Sequence, residues 1–431
     1  MNKFKILSLD GGGSWALIQI RILQRLFGEK ASGHDVLNDF DMVVANSGGS
    51  LALAAMANGN TLDQIADIFL NNEKRNSVFS KLKWYEEGLF SHFMGLFGMG
   101  PKYSAIRKFS ALKKILNNIA DDDITDIPLF IGKPSLQIII CTFDYERNRA
   151  SFFRSNKNSI TETVNLEKKW GQPTDGRFRT CTLVEAVHAA SNAPVNYFNE
   201  PAKFKSRLNN EPEHFERYYW DGAIGGNNNP VHIAVIEAIT NGIHPDDIQI
   251  LSLGTANVSL PLDIDPLNPA RAEFPFLVQK RVKQRFKDDL QKMTTSILSD
   301  PPDSASFIAY TMLNPTLDKN KVVPFIRMNP LIQPVFNNDL QRWENPKGIR
   351  EFEMELLINL DMDATSQFEV ELIDKFCTEY FNNNIPNQPI RMGSRKMSCL
   401  IGQPSWSCAL AGWTDLVKEK TPDKIKTDSL A

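Results

Sequence analysis

Apolar positions along the chain fall into two kinds of segment. Short, nearly unbroken apolar runs have the length and composition of buried strands: Phe4–Leu9, then residues 41–45, 136–142, 218–220, Ile248–Leu253 and 322–328. Between them the spacing turns helical. Residues 14–27 place Ile18, Ile22 and Phe27 near one face, and Leu62–Leu70 follows Thr61 as a cap. Residues 105–120, 183–190 and 231–240 continue the helical series. Residues 150–153 can extend the sheet beyond 136–142. Strands alternating with helices across glycine turns predict an α/β fold with a mainly parallel, three-layer core. After Asp263 the pattern is mostly helical (274–299, 304–313, 351–360, 365–382), with 322–328 as one late strand. From Pro386 the chain reads as irregular and polar, with Trp406 and Trp413 as isolated anchors and a frayed end after Lys418. The expected organisation is one domain over residues 4–385 and a C-terminal extension over 386–431.

Three strand ends carry unusual punctuation. Residues 41–45 run into Asn46-Ser47-Gly48-Gly49 and then into the small-residue helix 51–57. A strand feeding a helix through a serine flanked by tiny residues is the pattern of a nucleophile elbow, with Ala45 where the usual spelling has its first glycine. The turn is tight enough that only small neighbours fit, and it thrusts the hydroxyl out at the sheet's end. The first strand ends in Asp10-Gly11-Gly12-Gly13, and residues 218–220 end in Asp221-Gly222-Ala223.

Composition narrows the classes. The chain has 431 residues and a net charge of −3, with no basic run to suggest nucleic-acid binding. Its five cysteines (Cys141, Cys181, Cys377, Cys399, Cys408) are scattered and odd in number, which argues against a disulfide framework or a zinc site. The stretch before Asp10 is too short for a signal-peptide core, and no run approaches the roughly 20 apolar residues of a membrane span. The expectation is a cytoplasmic protein in peripheral contact with membranes; a signal-free secretion route would leave no mark in such a sequence.

A nucleophilic serine needs a base. None of the six histidines (His34, His92, His188, His214, His232, His244) follows a strand end in a short loop, and His188 reads as a packed residue. Asp221 does end a strand. A carboxylate can take the serine proton directly if an oxyanion hole is preorganised in a largely dry site. The amides of Gly12 and Gly13, near the amide of Gly48, suit that role. Gly11, Gly13 and Ala16 also match a dinucleotide fingerprint between strand and helix, which keeps a non-catalytic nucleotide-binding module as a rival. Against it, Asp10 would set a negative charge beside the pyrophosphate.

Taken in order, these three blocks resemble those of the patatin-like phospholipases. Supporting blocks are Ala190-Ser191 with Ala193-Pro194 and Phe198, then Asn228-Asn229-Pro230, Ser252-Leu253-Gly254-Thr255 and Leu360-Asp361-Met362-Asp363. The resemblance covers roughly residues 4–385. It implies the patatin relative of the α/β-hydrolase fold and lipid acyl hydrolysis by a Ser47–Asp221 dyad, without metal or cofactor. It also implies an oxyanion loop at Gly11, Gly12 and Gly13. Trp15-Ala16 stands where the family usually has Arg-Gly, which raises the question of what braces that loop. The implied substrate is a membrane phospholipid or lysophospholipid. Acyl transfer, or hydrolysis of neutral lipid, remains an alternative on the same site. Residues 84–100, rich in Phe, Leu, Met and Gly, read either as a buried loop or as a mobile apolar lid at the membrane, with Phe90, Phe93 and Phe97 as its contact candidates.

Overall fold

Strands that are apolar on both faces must be covered on both faces, and the parallel strands at the centre of this protein are. The computed structural model describes residues 3–83, 100–156, 179–208, 214–258, 302–318, 321–337, 339–390 and 401–418. Strand β1 (Phe4–Leu9) opens the chain, followed by α1 (Leu17–Phe27), α2 (Gly33–Asn38), β2 (Met42–Ala45) and α3 (Ser47–Ala57). Then come α4 (Leu62–Leu70), α5 (Asn72–Val78), α6 (Ala105–Ile115), α7 (Ile127–Ile131), β3 (Gln137–Asp144), β4 (Arg149–Arg154), β5 (Arg179–Thr180) and α8 (Leu183–Ala190). The central sheet gains β6 (Ala202–Leu208), β7 (His214–Asp221) and, after α9 (Val231–Thr240), β8 (Ile248–Leu253). Beyond β9 (Asn257–Val258) lie α10 (Pro302–Leu313), β10 (Phe325–Met328), β11 (Leu331–Ile332) and the small hairpin β12 (Val335–Asn337) and β13 (Arg342–Glu344). The chain closes with α11 (Glu351–Asn359), α12 (Gln367–Phe381) and α13 (Trp406–Lys418).

The central sheet runs β10-β8-β1-β2-β3-β7-β6-β5, with β4 paired to β3. From β10 to β3 every neighbour is parallel; β4, β7, β6 and β5 form an antiparallel wing. Alternation along each strand splits the core in two. Leu7, Leu9, Val43, Ala45, Leu251 and Met328 face the layer of α1, α3, α4, α8 and α12. Ile6, Met42, Val44, Ile250 and Phe325 face α9 and α10. The three-layer reading of the sequence therefore holds. Helix α3 is buried all round, which is why it is built of Ala, Leu, Gly and Ser without a charged face.

Two readings of the distal chain change. Residues 322–328 yield the four-residue strand β10, which joins the parallel sheet at its edge. The stretch past Pro386 is not irregular throughout: α13 forms there. Trp406 and Trp413 belong to the main core, and Trp413 stacks on Phe40 with centroids 6.1 Å apart. Apolar residues at 406, 409, 413 and 416 share one helix face, a spacing hidden by the intervening polar residues. Residues 84–99, with Phe90, Phe93 and Phe97, lie outside the described residues, as do 274–299.

Candidate active site

The glycine loop and Ser47 follow the carboxyl ends of the parallel strands β1 and β2, where open α/β sheets usually bind ligands, and Asp221 ends the antiparallel strand β7. Register brings two of them together. Ala45, the end of β2, pairs with Ile140 of β3. Asp221, the end of β7, pairs with Thr142 of the same strand. Both partners use one edge of β3, because its other edge pairs Ile140 with Phe153 and Thr142 with Ser151 of β4. β2 and β7 thus run toward each other along one edge and stop two residues apart on β3, about 7 Å. The elbow after Ala45 turns into that gap.

Ser47 has φ 45°, a left-handed conformation that only over-determined surroundings keep a non-glycine residue in. It begins α3, so its hydroxyl sits at the helix's positive end. It lines one cleft with Asp221, close enough for its hydroxyl to bear on the carboxyl's ionisation. Asp221 Oδ1 accepts from Asn46 Nδ2 at 3.0 Å and from the Ala223 amide at 2.9 Å, which fixes the carboxylate's orientation. Burial pushes its carboxyl above the usual range, opposed by the bonds from Ala223, Ser47 and Asn46 and by the charge of Lys108. A raised pKa makes a stronger base, the change a carboxylate needs to activate an alcohol.

The glycine loop packs on this pair with no room to spare. A Cβ on Gly48 would stand 2.4 Å from Gly13 O, and one on Gly12 would stand 2.3 Å from Thr255 Oγ1. The Gly11 amide donates to Asn228 O at 2.8 Å, and Gly11 O accepts from Thr255 Oγ1 at 2.6 Å. The next amides are also engaged: Ser14 N–H donates to Met362 O and Trp15 N–H to Gly12 O. Among the described residues the amides of Gly12, Gly13 and Gly48 have no acceptor. Gly11 thus anchors the loop, while Gly12, Gly13 and Gly48 keep open amides near Ser47.

Two cavities meet at Ser47. One is apolar and lined by Leu51, Phe69, Val78, Leu112, Phe198 and Met362 as well as Gly13 and Gly48. The other is a polar cleft lined by Gly12, Trp15, Asp221, Asn228, Thr255 and Asn359. No histidine lines either cavity among the described residues. His188 is buried against Phe109 instead, and burial beside Lys108 holds its ring well below its usual pKa.

Several residues at the site have roles that the sequence did not assign. Lys108 is buried in the apolar wall; its ammonium donates to His188 O and Ser191 Oγ and stands 4.1 Å over the Phe198 ring. Asn46 holds Asp221, and Met362 closes over Gly13. Asn46 had no signal beyond adjacency to Ser47. Arg327 had one, as the single charge inside an apolar strand: it pairs with Asp10.

Strand ends that converge on an elbow serine and a buried carboxylate define a class, the α/β proteins with a nucleophile-elbow site. Within it, a family model described as patatin-like phospholipase matches residues 7–235, just over half of the chain, and the chain belongs to that family. A curated relative, the cGAMP-activated phospholipase of Vibrio cholerae, is 24% identical over 270 residues. That match covers 59% of this chain and 64% of the relative, so it spans less than two thirds of the relative's length. Among solved structures, VipD from Legionella pneumophila is 11% identical with a TM-score of 0.32, covering 87% of this chain and 67% of VipD.

Proposed function

We propose that this protein is a serine hydrolase of lipid carboxylic esters, acting on membrane phospholipid or lysophospholipid. The observation that carries the reading is the position of Ser47, at the junction of an apolar cavity and a polar cleft with Asp221 beside it. An ester lying across that junction puts its acyl chain on the apolar side and its head group in the cleft.

In the proposed reaction Asp221 takes the Ser47 proton as Oγ bonds to the ester carbonyl carbon. The carbonyl oxygen becomes an oxyanion that accepts from the amides of Gly12, Gly13 and Gly48. Its collapse breaks the bond to the lipid alcohol, which leaves with the proton from Asp221. Water then adds to the acyl-enzyme as Asp221 takes its proton, and collapse breaks the Ser47 Oγ–acyl bond, releasing a fatty acid while Asp221 returns the proton to Oγ. No step calls for a metal or cofactor.

A fluorophosphonate probe tests this. Mass mapping should place the label on Ser47, and Ser47→Ala should abolish both labelling and ester turnover. A Ser47→Ala protein that hydrolyses lipid at the wild-type rate would overturn the proposal.

A further inference from the structure

Arg327 and Asp10 form a buried ion pair at the root of the glycine loop. Each is 1% exposed. The guanidinium is bidentate, Nη1 to Oδ1 at 3.0 Å and Nη2 to Oδ2 at 2.5 Å, and Nη1 also donates to Ser252 Oγ at 2.7 Å. Arg327 sits on β10, and Asp10 follows the end of β1, with β8 between them. The side chain therefore crosses one whole strand to reach its partner. Register shows the path: Arg327 pairs with Ser252, and Ser252 pairs with Ser8. Both serines are fully buried, and their small side chains leave the space that the arginine fills.

A buried pair of this kind is weak evidence for stability, since desolvating both ions offsets much of their attraction. What it supplies is geometry, because a planar fork holds a carboxylate in one orientation. Here that carboxylate belongs to the residue just before Gly11, Gly12 and Gly13, a stretch whose backbone has little stiffness of its own. The rest of the loop is tied through its backbone and Thr255, and Gln19 Nε2 donates to the Asp10 carbonyl at 2.9 Å, leaving the Asp10 carboxylate to Arg327. Trp15, where the family's motif has an arginine, spends its indole N–H on Asp361 O. The loop's side-chain ion pair comes from β10, which lies outside the matched family region.

We infer that Arg327 is a positioning residue for the reaction: through Asp10 it holds the Gly12 and Gly13 amides where the ester oxyanion forms. The inference rests on the hydrolase reading above. Arg327 touches no substrate, so its loss should weaken the transition state and spare ground-state binding.

The test uses the full-length chain, as wild type, Arg327→Gln and Arg327→Lys. Three quantities are read: kcat and KM on a soluble nitrophenyl ester, affinity for an alkyl trifluoromethyl ketone, and the unfolding temperature. The ketone binds an activated serine as a tetrahedral adduct and so reports on the oxyanion donors. Arg327→Gln should lower kcat by about 100-fold with KM nearly unchanged, the scale of a displaced oxyanion donor. Ketone affinity should fall by a similar factor, which a merely structural role would not produce below the unfolding temperature. Arg327→Lys keeps the charge and loses the fork, and should fall about tenfold; it carries the test if the glutamine variant does not fold. A folded variant with wild-type kcat and ketone affinity overturns the inference, as does a loss in kcat that ketone affinity does not follow. A wild type that neither turns over ester nor binds the ketone overturns the hydrolase reading itself, and the two failures are thereby separate.

Discussion

Ser47 and Asp221 each hold a state that the folded chain imposes against local preference. Ser47 keeps a left-handed backbone, at a cost of about 1 to 3 kcal/mol. Asp221 keeps a buried carboxyl whose pKa burial has raised. The second has a sign that can be followed in two experiments. In the proposed role of base Asp221 must be ionised, so kcat/KM should fall on acidification at a pH above the ordinary carboxylate value of 3.8. In stability the sign is reversed. A folded pKa above the unfolded one favours the fold at low pH, and that contribution is lost as pH rises from 3.8 through the raised value. Asp221→Asn keeps the shape and removes the buried charge. It should abolish turnover and, at pH 7, melt at or above the wild-type temperature in a calorimetric scan. A clearly lower melting temperature at pH 7 would show that the charge is stabilising in place. At this scale Ser47 and Asp221 were legible because each follows a strand and precedes glycine. Lys108 was not, because nothing in the helical pattern of residues 105–120 says that this lysine alone is turned inward.

Among the elements, the close approach of α3 to the glycine loop decides the site's shape. Only Asn46 separates the end of β2 from α3, and the helix's second residue lies against Gly13. Gly48→Ala would place a methyl 2.4 Å from Gly13 O and 2.8 Å from Gly13 N, with Ala16 Cβ at 3.1 Å and no flexible side chain to yield. A loss of about 100-fold in the rate of fluorophosphonate labelling is expected, the scale of a misplacement near 1 Å. Labelling at the wild-type rate would mean that the loop has slack. The elbow and the loop could each be read from residue types, since only small residues permit such turns. That they touch could not be read, because they are joined by strand order β1-β2 and by the angle at which α3 leaves the sheet. The meeting of β2 and β7 on one edge of β3 is of the same kind. It depends on register, which the short strand 218–220 seen in the sequence does not specify.

Across the molecule, the part beyond the family match completes what the matched part begins. Arg327, Asn329 and Met362 all reach the strand ends of the first 260 residues: Asn329 Oδ1 accepts from Ala256 N–H at 2.7 Å, and Met362 O from Ser14 N–H at 2.9 Å. Asp361 and Asp363 add bonds from Tyr197, Tyr103 and Lys102. The last helix, α13, is part of this body and not an appendage. Trp413 is buried against Phe40, and Trp413→Ala should destabilise the protein by about 3 to 5 kcal/mol in urea denaturation, as for other large core deletions. A change under about 1 kcal/mol would mark α13 as dispensable. Among the described residues no helix is long and apolar enough to cross a membrane.

By itself the sequence determined the layered α/β class, the glycine-punctuated strand ends, and the serine and aspartate standing at them. Those features are local: a run of β-branched residues, a turn that admits only small side chains and a helix of small residues are dictated over a few positions. Only the tertiary structure decided that Asp221 meets Ser47, that Gly11 anchors while Gly12 and Gly13 stay open, that Arg327 closes on Asp10, and that Trp413 lies in the core. Each of these joins positions tens to hundreds of residues apart. Strand order, register and helix packing set such distances, and no short window of sequence contains them.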